Sequence, residues 1–161
     1  MTTPRWLNTE ETNTWLSLWS VTSWLPTRLD EQLKKTAQIN LPDYFVLSQV
    51  SMAPAEHLSM TELAQLSEMS ASRLSHTVTR LEQRGWVYRA PDPEDKRTNI
   101  CHLTDEGRSF IQGAAPGHVE TARELVFDAL SPEENRELGR LLSKVLDRLD
   151  PPRMPAHQPH V

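Results

Sequence analysis

Cysteine is nearly missing: Cys101 is the one cysteine in 161 residues. That excludes an intramolecular disulfide and any multi-cysteine zinc site. Long hydrophobic runs are missing too. The best apolar stretch, Trp15 to Leu25, is interrupted by Ser17, Ser20, Thr22 and Ser23 and is too short to cross a bilayer. The N-terminus shows no basic segment leading into an apolar run and a small-residue cleavage site. No secretory signal is therefore expected, and a cytoplasmic location is the default. There is no glycine-rich phosphate loop and no nucleophile–base–orienter motif, which ranks an enzyme last among the function classes. His57, His76, His102 and His118 form no His-x-x-x-His pair, and His118 has only Glu120 and Glu124 as close carboxylate neighbours in sequence. No metal or cofactor is expected.

What is present suits one helix-rich soluble domain, with 37% apolar and 24% charged residues. The net charge of −5 is unevenly spread. Residues 70–97 hold six basic side chains against four acidic ones, a local +2 that leaves −7 on the remainder. Local charge decides whether a surface attracts phosphates, so the acidic total does not exclude nucleic acid.

A long helix is predicted from Thr9 to Ala37, with Trp15, Trp19, Thr22, Leu25, Leu29 and Leu33 on one stripe and a kink at Pro26. A second begins at Leu41-Pro42-Asp43-Tyr44, with Phe45, Val46, Leu47 and Val50 facing the core, followed by a loop from Met52 to Leu58. Ser59-Met60-Thr61-Glu62 reads as a capping box opening a short helix. Ser70 opens another, in which Leu74, Val78 and Leu81 recur at helical spacing until Gly85 stops it. Trp86-Val87-Tyr88 and Asn99 to Leu103 then read as two strands around a turn-rich tip, Pro91 to Arg97. Thr104 caps the next helix, which Gly113, Pro116 and Gly117 are expected to kink or split. Ser131-Pro132-Glu133-Glu134 opens a last helix bearing Leu138, Leu141, Leu142, Val145, Leu146 and Leu149.

The predicted fold is mainly α with a small β-hairpin wing. A winged helix–turn–helix lobe (59–104) is flanked by N-terminal helices (9–58) and C-terminal helices (105–150), with a disordered tail (151–161). The flanking helices carry more apolar surface than so small a lobe needs, and a second copy of the chain would bury it.

At these residues the chain resembles the MarR family of bacterial transcription regulators (multiple antibiotic resistance regulators). The resemblance runs from about Glu11 to Leu149. It is carried by Leu63-Ala64, Ser70-x-Ser72-Arg73-Leu74-Ser75, Arg80-Leu81-Glu82-x-x-Gly85-Trp86-Val87-x-Arg89, Asp95-Lys96-Arg97 and Leu103-Thr104-Asp105-Glu106-Gly107. It implies a homodimer joined through the terminal helices, which reads an inverted repeat in double-stranded DNA. One recognition helix would enter each major groove, with a wing at the adjacent minor groove. It also implies repression of target genes and release by a small aromatic or phenolic effector.

The candidate DNA-binding residues are Ser70, Ser72, Arg73, Ser75, His76, Thr77 and Arg80 on the second helix of the motif, with Lys96 and Arg97 on the wing. Short hydroxyls near a helix N-terminus can donate to phosphate, and Arg73 or His76 could reach base edges. A guanidinium at position 97 suits a narrow minor groove. By resemblance, Asp95 braces the wing through an arginine on the lobe. A solvated polar helix face and a charged, solubilising hairpin tip remain the plain alternatives. So does a winged-helix module that binds another protein and no DNA. Trp15, Trp19, Tyr44 and Phe45 are candidates for a planar-ligand pocket, set against ordinary core or interface packing. Cys101, on the returning strand, reads as a half-buried strand residue. Peroxide-sensing members of the family carry their reactive cysteine in the N-terminal helices, where this chain has none.

Overall fold

A computed structural model describes residues 4–152. Six α-helices and three short strands follow in the order α1 Thr9–Ala37, α2 Leu41–Met52, β1 His57–Ser59, α3 Met60–Leu66, α4 Ala71–Gln83, β2 Val87–Pro91, β3 Asn99–Leu103, α5 Asp105–Leu125 and α6 Pro132–Leu149. The histidines at 157 and 160, and all but the start of the tail, lie outside the described residues.

Side-chain caps set most helix starts. Capping boxes join Ser59 to Glu62 and Ser131 to Glu134, and a third joins Asn8 to Glu11 at the head of α1. Gly85, at φ +73°, ends α4: its N–H bonds the Glu82 carbonyl and the Trp86 N–H bonds that of Leu81. This is the Schellman pattern, which satisfies the last carbonyls of a helix. The α3–α4 turn repeats the pattern with Glu68 in the left-handed position, so the helix–turn–helix corner is made without a glycine.

The core is built where α2, α3, α4 and the sheet converge. Leu47, Val50, Leu63, Leu74, Val78 and Leu81 are all within 1% of complete burial. Apolar residues at i, i+4 and i+7 of α4 supply one wall. Phe45, expected in this core, points outward and is 40% exposed.

Three further expectations need correction. The sheet has three antiparallel strands in the order β1-β3-β2, because residues His57–Ser59 of the expected loop pair with β3. Cys101, at the centre of β3, is fully buried, and burial pushes its thiol up to about 12 with help from the Glu82 carboxylate. At neutral pH such a thiol holds its proton and is a poor nucleophile. α5 is continuous through Gly113, Pro116 and Gly117 and so is not split there; α1, predicted as one helix, also continues through Pro26. The C-terminal half of α1 packs on α2 and α5, with Leu33 fully buried.

α5 is anchored at its first turn. The Thr104 hydroxyl accepts from the Gly107 N–H and donates to the Gly85 carbonyl, while the Thr104 N–H donates to the Trp86 carbonyl. Arg108 reaches back to Glu56 and also to Asp105, at 2.5 Å. Trp86 stacks on Phe110 with ring centroids 3.8 Å apart. Gly107 lies against this junction so closely that a Cβ there would sit 2.1 Å from the Trp86 carbonyl oxygen.

α6 has no buried residue, and Leu141, Leu142, Val145 and Leu146 are 41–46% exposed. Trp15 and Trp19 on α1 are exposed as well, their rings 5.9 Å apart.

Gly107→Ala should destabilise the fold by about 3 kcal/mol, the upper end of ordinary overpacking, because the atom it meets is backbone. Gly113→Ala, in the same helix with nothing within 4 Å of its Cβ, should instead stabilise by about 0.5–1 kcal/mol. Urea denaturation midpoints of the two variants check the contrast.

Candidate nucleic-acid interface

The outer face of α4 begins at Ser70, whose hydroxyl oxygen accepts from the Arg73 N–H as the helix cap. Ser72, Arg73 and His76 follow on the exposed side. None of the three has an ion pair among the described residues. The first turn of α4 carries no acidic side chain, so its positive dipole end is not neutralised there.

Three expected contacts have partners within the protein. Thr77 is 1% exposed and faces inward beside Leu74 and Val78, so it cannot meet DNA from this position. Its hydroxyl oxygen accepts from Arg80. Arg80 itself is clamped by Asp43 of α2, with Nε 3.0 Å from Oδ2 and Nη2 2.6 Å from Oδ1. That bond holds the Arg80 guanidinium above its usual range. Ser75 is half-buried and accepts from Arg89 of β2.

Arg89 ties the wing to the helix. Its guanidinium bonds both oxygens of Glu82, at 2.6–3.1 Å, and also Ser75 and Thr79. The Glu82 Oε1 accepts the Arg89 backbone N–H as well. Strand β2 is thus fixed against α4 by one charge-assisted fork. The Arg89 side-chain bond holds the Glu82 carboxyl below its usual range, outweighing burial.

The wing tip is shaped by its aspartates. Asp92 Oδ1 accepts from the Glu94 N–H, and Asp95 accepts from the Arg97 N–H and the Thr98 hydroxyl. The Asp95 carboxylate therefore braces its own turn and has no ion pair to a lobe arginine among the described residues, where the resemblance implied one. The turn holds Lys96 and Arg97 exposed and without an ion pair among the described residues. On the sheet face, Tyr88, His102 and His57 stack across all three strands.

A cleft of about 810 Å³ runs between α4 and the α1–α2 corner. Thr27 and Lys34 of α1, Leu41 and Pro42 of α2, and Arg73, His76 and Arg80 of α4 all line it. The expected aromatic pocket is not assembled. The hollow beside Trp15 is lined otherwise by Leu7, Glu10, Glu11, Thr14 and Leu18, while Tyr44 is buried against His118 at 4.6 Å. No group of three or more metal-ligating side chains occurs among the described residues.

A family model described as the MarR family matches residues 37–98. The crystal structure of Sco3205, a MarR family transcriptional regulator from Streptomyces coelicolor in complex with DNA, superposes with a TM-score of 0.85. The two are 42% identical over 92% of this chain and 93% of that one. The chain belongs to the MarR family. AbsC, a MarR family regulator from the same organism, is 31% identical over 91% of this chain and 99% of its own, with a TM-score of 0.84. PecS, an HTH-type transcriptional regulator of Dickeya dadantii, is 34% identical over 55% of this chain and 52% of its own. The chain spans about half the length of the curated relatives it matches at this level. MarR-family proteins are transcription regulators, which removes the enzyme reading.

Asp43, Glu82 and Arg89 were absent from the sequence-derived site. Nothing local marks Asp43, which is 37 positions from its partner. Thr77 was legible, since it sits three residues after Leu74 and so shares the inward face.

A glutamate held below its ordinary value of 4.5 stabilises the fold fully above that pH, and its contribution fades as pH falls through the lowered value. Glu82→Gln should therefore cost about 1–2 kcal/mol at pH 7, as for loss of a charge-assisted bond. The gap from wild type should narrow below about pH 4.5. Urea midpoints measured at both pH values give the test.

Proposed function

We propose that the chain is a sequence-specific double-stranded DNA-binding transcription regulator, acting in the cytoplasm as a dimeric repressor on an inverted repeat. The observation that carries this reading is the pairing of an α4 face bearing Ser72, Arg73 and His76 with a wing tip bearing Lys96 and Arg97, all exposed. In a chain of net charge −5, these three cations outside ion pairs are concentrated where a helix and a wing can straddle adjacent grooves. Arg73 and His76 read base edges in the major groove, Ser72 and Lys96 hold phosphates, and Arg97 enters the minor groove.

The exposed leucines and valine of α6, with Trp15 and Trp19 of α1, support dimerisation through the terminal helices. A two-fold dimer meets half-sites about 10 bp apart. The cleft beside α4 is the effector site in this reading, since its volume suits a small aromatic or phenolic compound. A compound there would touch Arg73, His76 and Arg80 directly and compete with DNA for them.

Selection of genomic fragments with the purified chain, followed by affinity against salt on the enriched site, tests the reading. An inverted repeat bound by a dimer with a steep salt slope is expected. A salt-insensitive protein partner with no enriched fragment would favour the protein-binding module instead. Arg73→Ala combined with Arg97→Ala should weaken the enriched site by roughly a hundredfold, taking about 1–2 kcal/mol for each arginine. Circular dichroism should stay unchanged. Val145→Glu should shift the chain to monomer in sedimentation velocity.

A further inference from the structure

We propose that Asp43, which lies on α2 outside the reading helix, is a positioning residue for DNA recognition acting through Arg80. The inference rests on the DNA-binding reading and adds a residue that makes no DNA contact itself. Asp43 has a 10% exposed side chain, whereas that of Arg80 is 50% exposed and lines the cleft beside Arg73 and His76. The guanidinium is therefore gripped from its buried side and open on the other. Of its five N–H donors, Nε and Nη2 are used by Asp43 and Thr77. The two Nη1 hydrogens lie outside these bonds.

Two physical consequences follow. A free arginine side chain carries about 2 kcal/mol of rotamer entropy, much of which is lost when it binds. Asp43 and Thr77 hold Arg80 in one rotamer before DNA arrives, so its remaining Nη1 donors are directed at little further cost. Asp43 also cancels the charge of Arg80, so the arginine adds direction to the reading face and little general attraction for phosphate. Arg80 then contributes to discrimination between sequences more than to overall affinity. Lysine could keep the ion pair at this position but not the planar grip that fixes the Nη1 donors.

The test uses the full chain and two probes: the genomic duplex most enriched by wild type, and a scrambled duplex of equal length. Asp43→Asn should reduce the ratio of the two affinities by about tenfold, as loss of one well-placed arginine contact would. The salt slope should steepen by about one, because Arg80 becomes a free cation. Arg80→Lys, which leaves the buried carboxylate paired, should lose a similar ratio. Asp43→Asn should then have less than about a twofold effect in the Arg80→Lys background. A purely structural Asp43 would instead lower the melting temperature and scale both affinities together, leaving ratio and slope at wild-type values. That result, or a wild-type ratio in Arg80→Lys, would overturn the proposal. Failure of the wild-type chain to bind either duplex in a salt-dependent way would sink the DNA-binding reading instead.

Discussion

The fold turns on the carbonyl of Trp86. It accepts the Thr104 N–H, and the bare Cα of Gly107 packs against it. One residue earlier, the Gly85 carbonyl accepts the Thr104 hydroxyl. These few atoms join the end of α4, the first residue of the wing and the first turn of α5. No side chain heavier than hydrogen fits at position 107, so the three elements meet at a fixed distance. The Trp86–Phe110 stack and the Arg84 guanidinium, 4.8 Å over the Trp86 ring, cover the junction from outside. Orientation of the reading helix is thereby tied to the helix that leads away from it.

Charge on the reading side is sorted by partner. Arg80 is held by Asp43, Arg89 by Glu82, and Arg84 donates to the Gln38 carbonyl while lying over Trp86. Arg84 and Arg89 set positions of helices and strands, while Arg80 is held on its buried side and stays half-exposed on the other. Arg73, Lys96 and Arg97 have no ion pair among the described residues and stand on the exposed face. The local +2 read from the sequence understates this division, because it counts bracing and exposed cations alike. A surface with few mobile cations attracts phosphate less strongly than the arginine count suggests, but points its donors more narrowly.

Legibility followed the range of the interaction. The capping boxes at Ser59 and Ser131, the Thr104 cap and the Gly85 stop are satisfied within five residues, and each stood where its residues indicated. β1 was missed because a three-residue strand has no alternation to read and exists only through pairing with β3. Gly113, Pro116 and Gly117 read as a kink or a split; the split does not occur, since packing on α1 and α2 outweighs weak local propensity. Asp43–Arg80 and Arg89–Glu82 join separate elements, so neither partner announces the other. Tyr44 and Phe45 are adjacent in sequence but project about 100° apart around α2, one buried and one exposed, which divided the expected aromatic site.

The unbroken course of α5 has a mechanical consequence. At 21 residues it is about 31 Å long, and its root cannot yield at Gly107. It behaves as a stiff lever whose short arm is the reading lobe. Rocking it by about 6° displaces one end by roughly 3 Å relative to the other, close to the axial rise of one base pair. A helix split at Pro116 would absorb such a motion; a continuous one carries it along its length. In the proposed dimer, small changes in how the far ends of two such levers are gripped would convert into whole base-pair steps in the spacing of the lobes they carry.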